Sequence, residues 1–120
     1  MAGKFCVSLT CAKNDTDKAT IAFVIANAAV ASDKETMVFL STEGVRMSQK
    51  GYADDMHEAG FAPLKELIEN FAKAGGKIFV CSPCFKKRNL DESILVAGAI
   101  MVGGAKLVEF LSDGSPCITY

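Results

Sequence analysis

Cys81 and Cys84, spaced as Cys-Ser-Pro-Cys and followed by Lys86, Lys87 and Arg88, are the residues of this chain best suited to chemistry. A cysteine is nucleophilic as its thiolate, which free N–H groups and the dipole at a helix start stabilise, as do nearby cations. Cys81 falls where an apolar strand would emerge and where Ser82-Pro83 would begin a helical turn, so a lowered thiol pKa is predicted there. Lys86, Lys87 and Arg88 would add positive charge. Cys84 is spaced to resolve a persulfide or sulfenic acid on Cys81 by closing a disulfide. Cys11 is expected on the same rim. The competing reading is that these thiols are small buried hydrophobes, a common fate of cysteine. For Cys6 and Cys117, which alternate into apolar segments, the core reading is the expectation.

Other chemistries fit less well. A structural zinc site takes four ligands, often from paired motifs, whereas here one Cys-x-x-Cys accompanies one histidine. Cys11 or His57 could complete such a site only if the fold happened to bring them in, and no metal is expected. A thioredoxin-like motif has the same spacing but ordinarily follows an early strand, and the chain has no tryptophan. His57, within Ala53-Asp54-Asp55-Met56-His57-Glu58, reads as a solvated surface histidine. The glycines at 98, 103 and 104 lack the ending of a phosphate loop, and no G-x-G-x-x-G occurs, so no nucleotide cofactor is expected.

The elements that must position the cysteines alternate between strand and helix. Lys4 to Thr10 reads as a first strand, broken by Lys13-Asn14-Asp15-Thr16. Asp15 or Thr16 then caps a helix over about 17–31 that is apolar almost all round, which predicts burial on more than one side and hence an oligomer interface. A strand over 35–41 and a short helix through Gln49 and Lys50 follow. Pro63 opens a helix with an apolar stripe of Leu64, Leu67, Ile68, Phe71 and Ala72, closed by Gly75-Gly76. Lys77 to Cys81 is a buried strand. A short strand near 99–101, a helix over about 105–111 and a strand over 116–120 complete the chain. Such alternation predicts an α/β fold with a mostly parallel five-stranded sheet covered on both faces. Ligands bind such sheets at the carboxyl ends of the strands. Here those ends are Thr10-Cys11, Thr42-Glu43-Gly44 and Cys81 to Cys84.

Composition narrows the partners. Within 120 residues, 50% are hydrophobic and 22% charged, which suits one domain with a sizeable core. A net charge of −1 supplies no field to gather nucleic acid or an anionic membrane. The longest apolar run, Ile94 to Ala105, is shorter than the roughly 20 residues of a membrane helix. The opening Met1-Ala2-Gly3-Lys4-Phe5 lacks the pattern of a secretory signal, so a cytoplasmic location with reduced thiols is expected.

Ile78-Phe79-Val80-Cys81 followed by Lys86-Lys87-Arg88-Asn89-Leu90 resembles the strand, sulfur-carrying cysteine and basic turn of the DsrE/DsrF-like family. Asp17 to Thr20, Gly44-Val45, Lys50 to Asp54, Pro63 to Leu67 and Cys81 to Lys86 are similar to segments of a subgroup of short DsrE-like proteins with a Cys-x-x-Cys turn. The similarity spans most of the chain as a single domain, 1–120. It implies a three-layer α/β/α sandwich, assembly as a trimer or hexamer, and sulfur relay. By that resemblance Cys81 accepts sulfane sulfur as a persulfide and passes it to a partner protein's thiol, so the implied partners are sulfur donor or acceptor protein thiols. Cys84 is a departure, because relay subunits usually carry one cysteine in this turn, and it leaves room for a resolving, redox or metal-binding step. The alternatives are a thiol–disulfide redox protein using Cys81 and Cys84, or a small-ligand or protein-interaction module without catalysis.

Overall fold

A computed structural model describes residues 3–120. Five strands, β1 (Gly3–Leu9), β2 (Lys34–Leu40), β3 (Lys77–Cys81), β4 (Ala99–Val102) and β5 (Cys117–Thr119), form one sheet in the order β4-β3-β2-β1-β5. Every neighbouring pair is parallel. Four α-helices connect them: α1 (Thr16–Ala31), α2 (Leu64–Lys73), α3 (Ser82–Lys87) and α4 (Gly104–Leu111).

Period-2 alternation along the strands sends side chains to two different layers. Val7, Leu9, Val38, Leu40, Ile78 and Val80 face α1 and α2, where Phe23 and Phe71 meet edge-on at 6.1 Å between ring centroids. Cys6, Met37, Phe39 and Phe79 face the opposite way, beneath Phe110 of α4. The molecule is therefore a three-layer α/β/α sandwich. Gly76 is required where α2 turns into β3, since a Cβ there would lie 2.3 Å from the Phe71 ring.

Several local expectations change. Pro63 sits outside α2 in an extended conformation (φ −54°, ψ 141°), and the helix begins at Leu64. The short helix expected through Gln49 and Lys50 is a 3-10 turn over Thr42–Ser48 that ends before them. Within the chain, α1 buries one face, through Ala19, Ala22, Phe23, Ala26 and Ala29. Ile21, Val24, Ile25 and Val30 stay only half-buried, so within this chain the expected burial of a second side is incomplete. Cys117 is exposed rather than core, because β5 is a three-residue edge strand with all residues exposed.

Candidate functional site

The carboxyl ends of β1, β2 and β3 form a rim on which most of the sequence candidates stand. Cys81 ends β3 and is the N-cap of α3, half-buried where both core layers close. Cys84 follows in the first turn of α3, also half-buried. The Cys81 thiol is pushed up, not down, from its ordinary value. Burial is the main cause. The Cys84 thiol adds to it, while the Cys84 amide and the Arg88 charge pull the other way. The Cys81 side chain closes no capping hydrogen bond of normal geometry, which leaves the helix start too weak to overcome desolvation.

Arg88 is the cation whose charge acts on this thiol, more weakly than burial does. Its Nη1 donates to the Cys84 carbonyl at 3.2 Å and its Nε to Glu43 Oε2 at 2.9 Å. Arg46 donates to the other Glu43 oxygen at 2.5 Å. Between these guanidinium groups, Arg88 first and Arg46 second, the Glu43 carboxyl is held below the usual carboxylate range. Lys86 and Lys87 project into solvent from the last turn of α3. Of the three expected thiolate-supporting residues, Arg88 alone is built into the site.

Glu43 is positioned by a tight crossing of backbones. Ser41 N donates to the Leu9 carbonyl at 3.1 Å, and Thr42 Oγ1 donates to the Thr10 carbonyl at 2.8 Å. A Cβ on Gly44 would stand 2.2 Å from Leu9 O, so only glycine lets the 3-10 turn lie across the end of β1. Thr42 takes φ 50°, a left-handed conformation that a β-branched residue adopts only under constraint. On the far side of the turn, Thr10 N and Oγ1 both donate to the Tyr120 carbonyl at 2.9 Å. Cys11 Sγ lies 3.7 Å from Thr10 Oγ1 and is half-buried.

Thus Cys81, Cys84, Arg88 and Glu43 form one connected group, with Gly44 beside Glu43 in the 3-10 turn and Thr10 and Cys11 at the end of β1 that the turn crosses. Thr42 belongs to the expected strand end Thr42-Glu43-Gly44, whereas Arg46 and Tyr120 are site neighbours that the strand ends do not name. The Glu43/Arg46 spacing of three is a detectable helical ion-pair signal. Tyr120 has no local signal, since its contact with Thr10 spans 110 residues. His57 is exposed on a separate loop, its Nε2 2.7 Å from the Phe61 carbonyl. Among the described residues, no group of three or more His, Cys, Asp or Glu converges as metal ligands would. A hollow of about 390 Å³ lies along α2 between Met47, Ile68 and Val96, and no cysteine lines it.

The fold agrees with what known proteins show. The chain belongs to the DsrE/DsrF-like family, whose model matches residues 3–120. The uncharacterized protein MJ0989 of Methanocaldococcus jannaschii is 28% identical over 117 residues, covering 98% of this chain and 99% of that one. MJ0760 from the same organism is 26% identical over 86% of this chain, which spans only 38% of that longer protein. MK0008 of Methanopyrus kandleri is 26% identical over 87% of this chain and 83% of its own length. Among solved structures, the ychN protein from E. coli superimposes over 100% of both chains with a TM-score of 0.73 at 13% identity. MTH1491 from Methanobacterium thermoautotrophicum does so with a TM-score of 0.69, again at 13% identity and full coverage of both. At these identities the structures speak for the fold.

Proposed function

We propose that this protein handles sulfane sulfur through Cys81, as a persulfide carrier or sulfurtransferase-like relay. The observation that carries the reading is the placement of Cys81 at the end of a parallel strand, half-exposed, capping α3 and facing both Cys84 and Arg88. In the accepting step the Cys81 thiolate attacks the outer sulfur of a donor persulfide. A bond forms between the two sulfurs, the donor's S–S bond breaks, and the donor leaves as a thiolate. In the passing step an acceptor thiolate attacks that outer sulfur and Cys81 leaves. Cys84 offers a second exit, in which its thiolate attacks the Cys81 sulfur, closes the Cys81–Cys84 disulfide and releases hydrosulfide. A thiol partner then reduces the disulfide. Because burial keeps Cys81 protonated, the donor's approach and the pull of Arg88 must supply the ionisation.

Incubation with a small persulfide donor followed by intact mass measurement should add the mass of one sulfur to the wild type. Cys81→Ser should gain none, and equal gain by that variant would overturn the role of Cys81. The five free cysteines suit a reducing cytoplasm. Half-buried apolar residues on α1, with Ile100 and Val108 exposed at 51% and 68%, suit assembly into a homo-oligomer.

The second reading is a ligand- or protein-binding module, and the cysteine-free hollow beside α2 favours it. Under that reading Cys81 reacts no faster than a free thiol with persulfide donors.

A further inference from the structure

Cys6 and Cys117 take no part in the rim chemistry, yet they are placed together. They are register partners on the parallel strands β1 and β5, so both side chains leave the sheet on its α4 side. Neighbouring strands run about 4.8 Å apart, which falls inside the Cα separations of roughly 4.4–6.8 Å that a disulfide spans. The two residues differ in access: Cys6 is fully buried under Phe110, whereas Cys117 is exposed at the sheet edge. The thiols also sense each other, since Cys117 adds to burial in keeping Cys6 protonated.

We propose that Cys117 is an oxidation site for hydroperoxides and that Cys6 is its resolving thiol. The Cys117 sulfur attacks the peroxide oxygen, the O–O bond breaks, and Cys117 becomes a sulfenic acid with release of water. Cys6 then attacks the sulfenic sulfur. The Cys6–Cys117 bond forms, and the Cys6 proton leaves with the hydroxyl as a second water. Two thiols have lost two electrons and one hydrogen peroxide has become two waters. Burial makes Cys6 a poor first target and leaves it a resolving partner for the one neighbour solvent can reach.

The bond would tie down the weakest strand of the sheet. β5 is joined to β1 through three register pairs, and Tyr120, immediately after it, gives its carbonyl to Thr10 on the rim. Oxidation at the edge would therefore firm one wall of the Cys81 site.

The full-length wild type, treated with hydrogen peroxide, alkylated in denaturant and digested without reductant, should yield the Cys117 peptide joined to the one carrying Cys6. Fragmentation should place the link on Cys6 and not on Cys11. Cys117→Ser, an exposed change, should abolish the link and leave Cys6 fully alkylatable. Cys6→Ala should let Cys117 proceed to the sulfinic acid; if that core change prevents folding, the wild-type map and Cys117→Ser decide the matter. Wild-type protein in which Cys117 reaches the sulfinic acid while Cys6 stays free overturns the proposal, as does a link to Cys11. Cys117→Ser should still accept sulfur on Cys81, which separates this outcome from the rim chemistry.

Discussion

At the residue scale, the chemistry of Cys81 is a contest between desolvation and charge. A half-buried thiol loses hydration of its anion, and one partly screened guanidinium does not restore it. Alkylation of Cys81 by iodoacetamide should therefore keep accelerating as pH rises past 9.0, the ordinary thiol value, with no plateau near neutrality. Arg88→Ala should slow the reaction at a fixed pH by roughly two- to fivefold, the scale of one partly screened charge. A plateau below the ordinary thiol value would mean that the sulfur is a stabilised thiolate after all. Glu43 shows the opposite sign. Its carboxyl is depressed by Arg88 and Arg46, so the stability it contributes is present above its ordinary value of 4.5 and is lost as pH falls through the depressed one. Glu43→Gln should flatten the acid limb of a urea-stability profile across that window. The cysteine pair itself was legible from spacing, but the direction of its pKa was not, because burial is not a local property of Cys-Ser-Pro-Cys.

At the element scale, the rim depends on the 3-10 turn Thr42–Ser48, which bridges the ends of β1 and α3. Gly44→Ala drives a Cβ into Leu9 O, which only a backbone shift relieves. It should destabilise the fold by about 1–3 kcal/mol, as overpacking does, and should change the Cys81 alkylation rate by moving Glu43 off Arg88. Chemical denaturation and alkylation of the same preparation check both. In α2, Phe71→Ala removes the ring between α1 and the Gly76 corner and should cost roughly 3–5 kcal/mol, a value urea unfolding would report. The sequence showed α2 clearly, since its apolar stripe has the helical period. It showed a short helix after β2 but not its 3-10 form or its bounds, because the turn is fitted against Leu9, more than thirty residues earlier.

At the scale of the whole molecule, the sheet is covered unequally. α1 and α2 seal one face, whereas the eight-residue α4 covers the other and leaves Ile100 and Val108 open. Light scattering should find a homo-oligomer, and Val108→Lys should shift the population toward monomer if that face is buried in it. Cys6 links this layer to pH. Burial raises its thiol above the ordinary 9.0, so its contribution to stability is complete below that value and declines as pH climbs beyond it. Cys6→Ala should therefore show a shallower alkaline loss than the wild type in urea melts.

Strand and helix order, the parallel sheet and the position of Cys81 at a strand end were determined by the sequence itself, because periodicity and turn chemistry are local and parallel crossovers have one hand. Tertiary structure alone decided which cation of Lys86, Lys87 and Arg88 matters, that Glu43 clamps it, that Tyr120 walls the rim, and that Cys117 lies open beside buried Cys6. These depend on distances between residues far apart in the chain and on how much water each sulfur keeps. Spacing along a sequence carries neither quantity.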